Sequence, residues 1–212
     1  MTRRSWAAAR PYVLGALLPG LALLLLRRRS SGWWLVGLAG ALLLFFRDPE
    51  RRAVRRRGVA YAAADGVISA VERAGDPWIG GEAVRIVTFL SLHNVHVTRS
   101  PLAGEVAALE REEGGHLPAF LGGAGRNLGY RVCLEGPEGR AVVEMRAGLV
   151  ARRITPWVRR GERVGPGQRL GIIHLGSRTD VLLPAGGTGV LVRPGQRVRA
   201  GLSPLARREG AR

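Results

Sequence analysis

Arg169-Leu170-Gly171-Ile172-Ile173-His174-Leu175-Gly176-Ser177-Arg178-Thr179-Asp180-Val181-Leu182-Leu183-Pro184 reads as two buried strands interrupted by a glycine–serine pair. Leu170 to Leu175 and Val181 to Leu183 are apolar runs bounded by turn signals, so Gly176 and Ser177 fall in a tight connection held by sheet on both sides. Glycine admits backbone angles that other residues resist. A serine hydroxyl beside that side-chain-free carbonyl is placed to attack its own preceding peptide bond. For an arbitrary glycine–serine pair the ordinary reading is a polar turn, and the rest of the chain decides between the two.

Upstream, short β-like pieces follow one another: Gly66 to Val71, Ala83 to Leu90, Val95 to Val97, Gly104 to Leu109, Tyr130 to Leu134, Ala141 to Arg146 and Leu149 to Ile154. Glycine, proline and charge separate them, which predicts a mainly β domain with helix confined to a turn or two near Leu117 to Leu121. A weak internal repeat links Gly161 to Leu170 with Val192 to Gly201. Both copies read as strand, Pro-Gly turn, strand, the hairpin of barrel-sandwich-hybrid scaffolds.

The N-terminal part is different in kind. Pro11 to Leu26 and Gly32 to Phe46 are almost uninterrupted apolar runs separated by Arg27-Arg28-Arg29-Ser30-Ser31. Each makes a helix of roughly 23 Å at 1.5 Å per residue, short against a hydrocarbon core of about 30 Å. They either span a thinned bilayer with snorkelling arginines or form a shallow hairpin. A cleaved signal peptide is the competing reading of the first run, but the second run follows directly and lacks a small-residue cleavage site. Six arginines, Arg47, Arg51, Arg52, Arg55, Arg56 and Arg57, follow the second run against three in the connecting loop, so the positive-inside bias puts the main domain on the cytoplasmic side of a cell membrane. Beside a membrane, such a basic run also favours anionic lipid.

The chain carries 33 basic and 16 acidic residues, a net charge of +17, which calls for an anionic partner. Every basic residue is arginine. Without lysine there is no internal aldimine for pyridoxal phosphate and no attachment point for biotin or lipoate. Cys133 is the only cysteine, so an internal disulfide or cysteine zinc cluster is excluded, and no metal site is expected.

Several motifs together resemble the short bacterial and archaeal type of phosphatidylserine decarboxylase. They are Phe45 to Arg51, Ala64-Asp65-Gly66, Asn94 to Pro101, Ala147 to Ile154, Gly161 to Val164, and Gly171 to Val181 with Pro184, in that family's order. The resemblance implies that Ser177 attacks the Gly176 carbonyl, converts the amide to an ester, and breaks the chain by β-elimination. The dehydroalanine left behind loses ammonia and becomes a pyruvoyl group at the start of a small chain, 177–212, separate from a large chain, 1–176. Phosphatidylserine would bind that group as a Schiff base through its amine, lose CO2 and leave as phosphatidylethanolamine. Such a ketone is the electron sink that an amino-acid decarboxylation needs when pyridoxal phosphate is excluded.

Cleavage also needs a base, because a serine hydroxyl is a weak nucleophile at its free pKa. Of His93, His96, His116 and His174, the motif match selects His96, with His93 in reserve, and gives Asp65 the role of orienting it. Many longer relatives carry a second histidine where this chain has Arg99, which leaves open whether one histidine serves both reactions. Arg99 and Arg178 present forks suited to the phosphate or carboxylate of the lipid, and Asn127 falls where relatives carry a polar pair. His174 is read as a strand side chain without a catalytic part.

The resulting division is a membrane-anchoring hairpin over 1–46, a basic juxtamembrane linker over 47–60, a β-rich catalytic domain over 61–205 and a basic tail over 206–212. Membrane lipids and a second copy of the chain are the other expected partners. A non-enzymatic membrane-tethered β-sandwich adaptor would explain the hairpin repeat and the anchor but not the ordered set of Asp65, His96 and Gly176-Ser177. Nucleic-acid binding rests on charge alone, and with aromatics at 6% no base-stacking platform is evident, so no nucleic acid is expected.

Overall fold

Runs of aliphatic and β-branched residues become fourteen strands in the described residues of the computed structural model, which are 1–51, 56–115, 127–148, 153–174 and 177–208. In chain order these are β1 (Val59–Tyr61), β2 (Gly66–Asp76), β3 (Gly81–Leu90), β4 (Val97–Arg99), β5 (Gly104–Glu112), β6 (Gly129–Gly136) and β7 (Gly139–Ala147). They continue as β8 (Ile154–Pro156), β9 (Arg163–Val164), β10 (Arg169–Ile173), β11 (Ser177–Pro184), β12 (Thr188–Val190), β13 (Arg197–Val198) and β14 (Pro204–Arg208). Two helices precede them, α1 (Arg3–Leu25) and α2 (Arg29–Phe45). The mainly β class and the N-terminal apolar helix pair are those the residue pattern predicts. The chain divides into Met1–Glu50 and Arg51–Arg212.

In the second unit a curled eight-stranded sheet runs β13-β2-β3-β11-β7-β6-β5-β9, and two three-stranded sheets run β4-β10-β8 and β1-β14-β12. Extra residues at Ser69 and Ala107 shift the β2–β3 and β5–β6 registers, the kind of bulge that bends a sheet. Its concave face holds the main core, including Ile68, Ile86, Val143, Met145, Val181 and Leu183. A smaller cluster on the opposite face joins Ala83, Cys133, Val142 and Leu182 to Trp78 and Ile79.

One topological feature positions the site. Strands β3, β11 and β7 are consecutive in the large sheet, and β4, β10 and β8, which continue or precede them along the chain, are consecutive in the same order in the small one. The chain therefore crosses between the two sheets three times along one seam. The central crossing lies between Ile173 and Ser177, so the two strands read around Gly176-Ser177 belong to different sheets and do not form a hairpin.

The internal repeat also resolves differently from its reading. Both copies hold the same turn: Gly167 and Gly195 have φ of +75° and +86°, and the Gln168 and Gln196 side chains accept from the Gly165 and Arg193 N–H groups at 3.0 and 3.3 Å. The flanking strands, however, do not pair with each other. β9 pairs with β5, β10 with β4 and β8, and β13 with β2.

At the end of the described chain, Ala206 is fully buried in β14 between β1 and β12, so residues 206–208 are strand and not tail. The linker expected over 47–60 likewise ends earlier, with Val59 already paired to Arg207. Leu117 to Leu121, His116, Leu149 to Arg152, Gly176 and residues 209–212 lie outside the described residues.

Candidate active site at the sheet seam

Ser177 is the first residue of β11, paired with Leu90 at the end of β3 and with Ala147 at the end of β7. It is fully buried, and its Oγ has no hydrogen-bond partner among the described residues. Leaving a buried hydroxyl unpaired costs about 1–3 kcal/mol, so this position is not optimised for stability. Strand alternation puts Thr179, Val181 and Leu183 on the Ser177 face and Arg178, Asp180 and Leu182 on the other.

His96 lies just before β4 and is fully buried. Its carbonyl accepts from the Ile173 N–H at 3.1 Å, which ties it to the last residue of β10 before the central crossing. Its Nδ1 lies 3.0 Å from the Asn94 carbonyl oxygen. A carbonyl can only accept, so Nδ1 carries the proton and Nε2 is the basic nitrogen of the neutral ring. Asn94 is fixed in turn, accepting from the Ser91 N–H through Oδ1 at 2.9 Å. His93 is exposed on the same connection.

Asp65 is held by Arg51 and by the backbone at Ala200. Its carboxylate takes a two-pronged fork from Arg51, at 2.5 and 2.7 Å, and the Ala200 N–H at 2.8 Å. Arg51 also donates to the Ala200 carbonyl at 2.7 Å. At Nδ1 of His96 the acceptor is the Asn94 backbone carbonyl, aimed there by the turn at 91–94. Gly66 explains the rest of that motif: a Cβ there would sit 2.0 Å from the Phe89 carbonyl oxygen.

Arg178 is likewise held. Its Nε and Nη2 donate to the two oxygens of Asp180, both at 2.7 Å, on the face opposite Ser177. Asp180 further meets Arg85 at 3.0 Å, and Arg85 meets Glu144 at 3.2 Å. Glu144 accepts from Arg131 and Arg146 at 3.1 and 2.9 Å, and those two arginines also pair with Asp76 and Glu112. Burial pushes the Asp180 carboxyl above its ordinary range while the Arg178 fork pulls it down. Arg99 is buried and donates to the Gly167 carbonyl at 3.0 Å, across the first repeated turn.

Asn127 is buried and donates to the Ala147 carbonyl at 2.7 Å, so it closes the end of β7 beside Ser177. His174, the last described residue before the crossing, is buried with Nε2 3.1 Å from Thr155 Oγ1 on β8. Burial, with the Arg153 charge adding to it, lowers its pKa to about 4. It is therefore a neutral imidazole at pH 7. Among the described residues no group of three or more His, Cys, Asp or Glu is arranged to hold a metal ion.

The residues missed from the sequence are Arg51, Asn94, Thr155 and the backbone of Ala200. Arg51 stood in a quoted motif but was read with its neighbours as a lipid-facing charge run. Asn94 opened the quoted stretch Asn94 to Pro101 without being given a part, and Thr155 and Ala200 carry no signal of their own.

The phosphatidylserine decarboxylase family model matches residues 38–206. A phosphatidylserine decarboxylase proenzyme of Symbiobacterium thermophilum is 40% identical over 211 residues, covering 98% of this chain and 95% of the relative. Proenzymes of the same name from Azorhizobium caulinodans and Streptomyces coelicolor are 42% and 41% identical, each over 80% of this chain and 75% and 74% of the relative.

Proposed function

Because the chain belongs to the phosphatidylserine decarboxylase family, we propose that it is a membrane-anchored, self-processing carboxy-lyase that converts phosphatidylserine to phosphatidylethanolamine and CO2. The observation that carries this reading is the buried Ser177 hydroxyl with no partner among the described residues, on the crossing that also binds the His96 carbonyl. An unpaired buried hydroxyl costs stability, and directly after glycine at the seam it supports a chemical role for Ser177.

In the processing step His96 Nε2 takes the Ser177 proton. Oγ then bonds to the Gly176 carbonyl carbon as the bond to the Ser177 nitrogen breaks, and His96 returns the proton to that nitrogen. Loss of the Ser177 Cα proton expels the Gly176 carboxylate from Cβ. The dehydroalanine that remains takes up water and releases ammonia, which leaves a pyruvoyl group at residue 177. That ketone supplies an electron sink for the carbanion left when CO2 departs.

The chain's own residues serve both steps. Asn94 fixes the Nδ1–H tautomer of His96, Asn127 pins the end of β7, and the fork from Arg51 holds Asp65 to Ala200. Cleavage need not release the small chain, since β11 pairs along its length with β3 and lies between β3 and β7. Leu182, Leu183, Val198, Leu205 and Ala206 bury further apolar surface on the same fragment. The helices α1 and α2 anchor the enzyme in the membrane that holds its substrate, with the arginines after α2 favouring the cytoplasmic side.

Intact mass of the purified protein tests the reading. The parent should give two chains, the smaller beginning at residue 177, blocked to Edman sequencing and reactive toward hydroxylamine. Ser177→Ala should give one uncut chain. A parent that remains whole overturns the proposal.

A further inference from the structure

The residues of Met1–Glu50 decide how the chain meets the bilayer, a question the apolar runs alone left open. α1 and α2 lie antiparallel, joined by a turn closed at Arg27, whose φ is +59°, with the Arg27 and Arg28 N–H groups returning to the Leu24 and Leu23 carbonyls at 3.0 and 2.9 Å. They pack closely: a Cβ at Gly32 would lie 2.6 Å from Leu24 Cγ and 3.0 Å from the Gly20 carbonyl oxygen. At the open end the polar groups tie the legs together, Thr2 Oγ1 donating to Asp48 at 2.8 Å and the Ser5 hydroxyl to the Phe46 carbonyl.

We propose that this pair crosses the bilayer twice, with the Arg27-Arg28-Arg29 turn among the lipid phosphates of the leaflet opposite the open end. This rests on the membrane-anchored reading above and goes beyond it by excluding the two shallower placements. A helix lying in the interface needs one polar face. Residues 11–26 and 32–46 contain no charged side chain, and the outward residues are Leu18, Leu21 and Leu25 on α1 and Trp34, Leu38 and Leu44 on α2. A hairpin confined to one leaflet would leave three guanidinium groups in hydrocarbon, because the turn is the point farthest from the open end.

Crossing satisfies both constraints. α1 is long and apolar enough to cross a membrane, whereas α2, at 17 residues, is shorter. Its deficit against a core of about 30 Å is met by arginines reaching outward at either end. Exposed tryptophans mark both ends: Trp6 near the open end, Trp33 and Trp34 next to the turn. That is the two-belt pattern of interfacial tryptophan in spanning helices. Pro11 and Pro19 lie inside α1, where spanning helices accept them more readily than soluble ones do.

The test uses the full chain in cell membranes, with Cys133→Ala as background and a single new cysteine at Ser30 or at Glu50, both exposed. A membrane-impermeant maleimide is applied to intact spheroplasts and to inverted vesicles. Ser30→Cys should label from one face only and Glu50→Cys from the other only. Labelling of both from the same face overturns the proposal. So does a Ser30→Cys that reacts only after detergent, which would place the turn in hydrocarbon, or a mature chain that begins after residue 26. Fragments on a denaturing gel of the same samples report on Ser177 separately, so loss of the two-pass hairpin and loss of the processing reading are told apart.

Discussion

The two faces of β11 treat polar groups in opposite ways. On one, the buried Asp180 and the partly buried Arg178 join a lattice of ion pairs that runs through Arg85, Glu144, Arg131 and Arg146, each charge met by at least one opposite charge. On the other, one residue earlier, the Ser177 hydroxyl is buried with no partner among the described residues. The lattice fixes the register of β11 between β3 and β7, and that register sets Ser177 against Leu90 and Ala147 at the seam. Compensated charge holds the strand, and the uncompensated hydroxyl is what the strand holds in place.

The sharpest way to break this contrast is Ser177→Ala. Self-cleavage should vanish, leaving one 22.8 kDa chain on a denaturing gel. Folding stability should stay level or rise by about 1 kcal/mol, since an unpaired buried hydroxyl is removed. A large fall in the denaturant midpoint would mean that Ser177 is a folding residue after all. Asp180→Ala on the opposite face should do the reverse. It strands Arg178 and part of Arg85 in a buried site, for a loss of about 3–5 kcal/mol by denaturant titration.

His174 makes the seam pH-sensitive. Its pKa is about 4 in the fold against 6.5 ordinarily, so between those values the unfolded chain binds more protons than the folded one. The neutral form is therefore favoured by folding. Its contribution is fully present above pH 6.5 and is lost as pH falls towards 4, up to about 3 kcal/mol. Measured in the uncut Ser177→Ala chain, His174→Gln should flatten the stability profile across that window. The smallest expected effect belongs to Arg51→Met, which removes charge-assisted bonds to Asp65 and Ala200. Fragments should appear about 10- to 100-fold more slowly, from roughly 1.5–3 kcal/mol of lost positioning. Arg51→Lys should recover part of that rate, since an ammonium keeps the charge but not the fork.

Much of this architecture was legible before any coordinates. Seven of the nine apolar pieces read as strands correspond to strands, while Val95 to Val97 and Leu149 to Ile154 overlap β4 and β8 by one residue each, with 149–152 outside the described residues. The apolar helices were equally plain, and Ser177 stood out because it interrupts two apolar runs. What was missed shares one form. Pro-Gly turns suggested local hairpins, yet their strands pair elsewhere. For Arg178 the reading missed its acceptor, Asp180, two residues away on its own face. For Asp65 no sign pointed to Arg51 or Ala200, which meet its oxygens.

The sequence by itself determined which segments are apolar, with what period, and which residue types are available for chemistry: a serine after glycine, few histidines and no lysine. These are properties of a residue and its near neighbours, and the backbone's two periodicities convert them directly into faces. Only the tertiary structure decided that His96 and Ser177 share one seam, that a carbonyl rather than a carboxylate sets the histidine tautomer, and that the charges behind Ser177 cancel. Those outcomes depend on which strands become neighbours and in what register. That choice is made by the burial of the whole sheet at once, and no single stretch of the chain contains it.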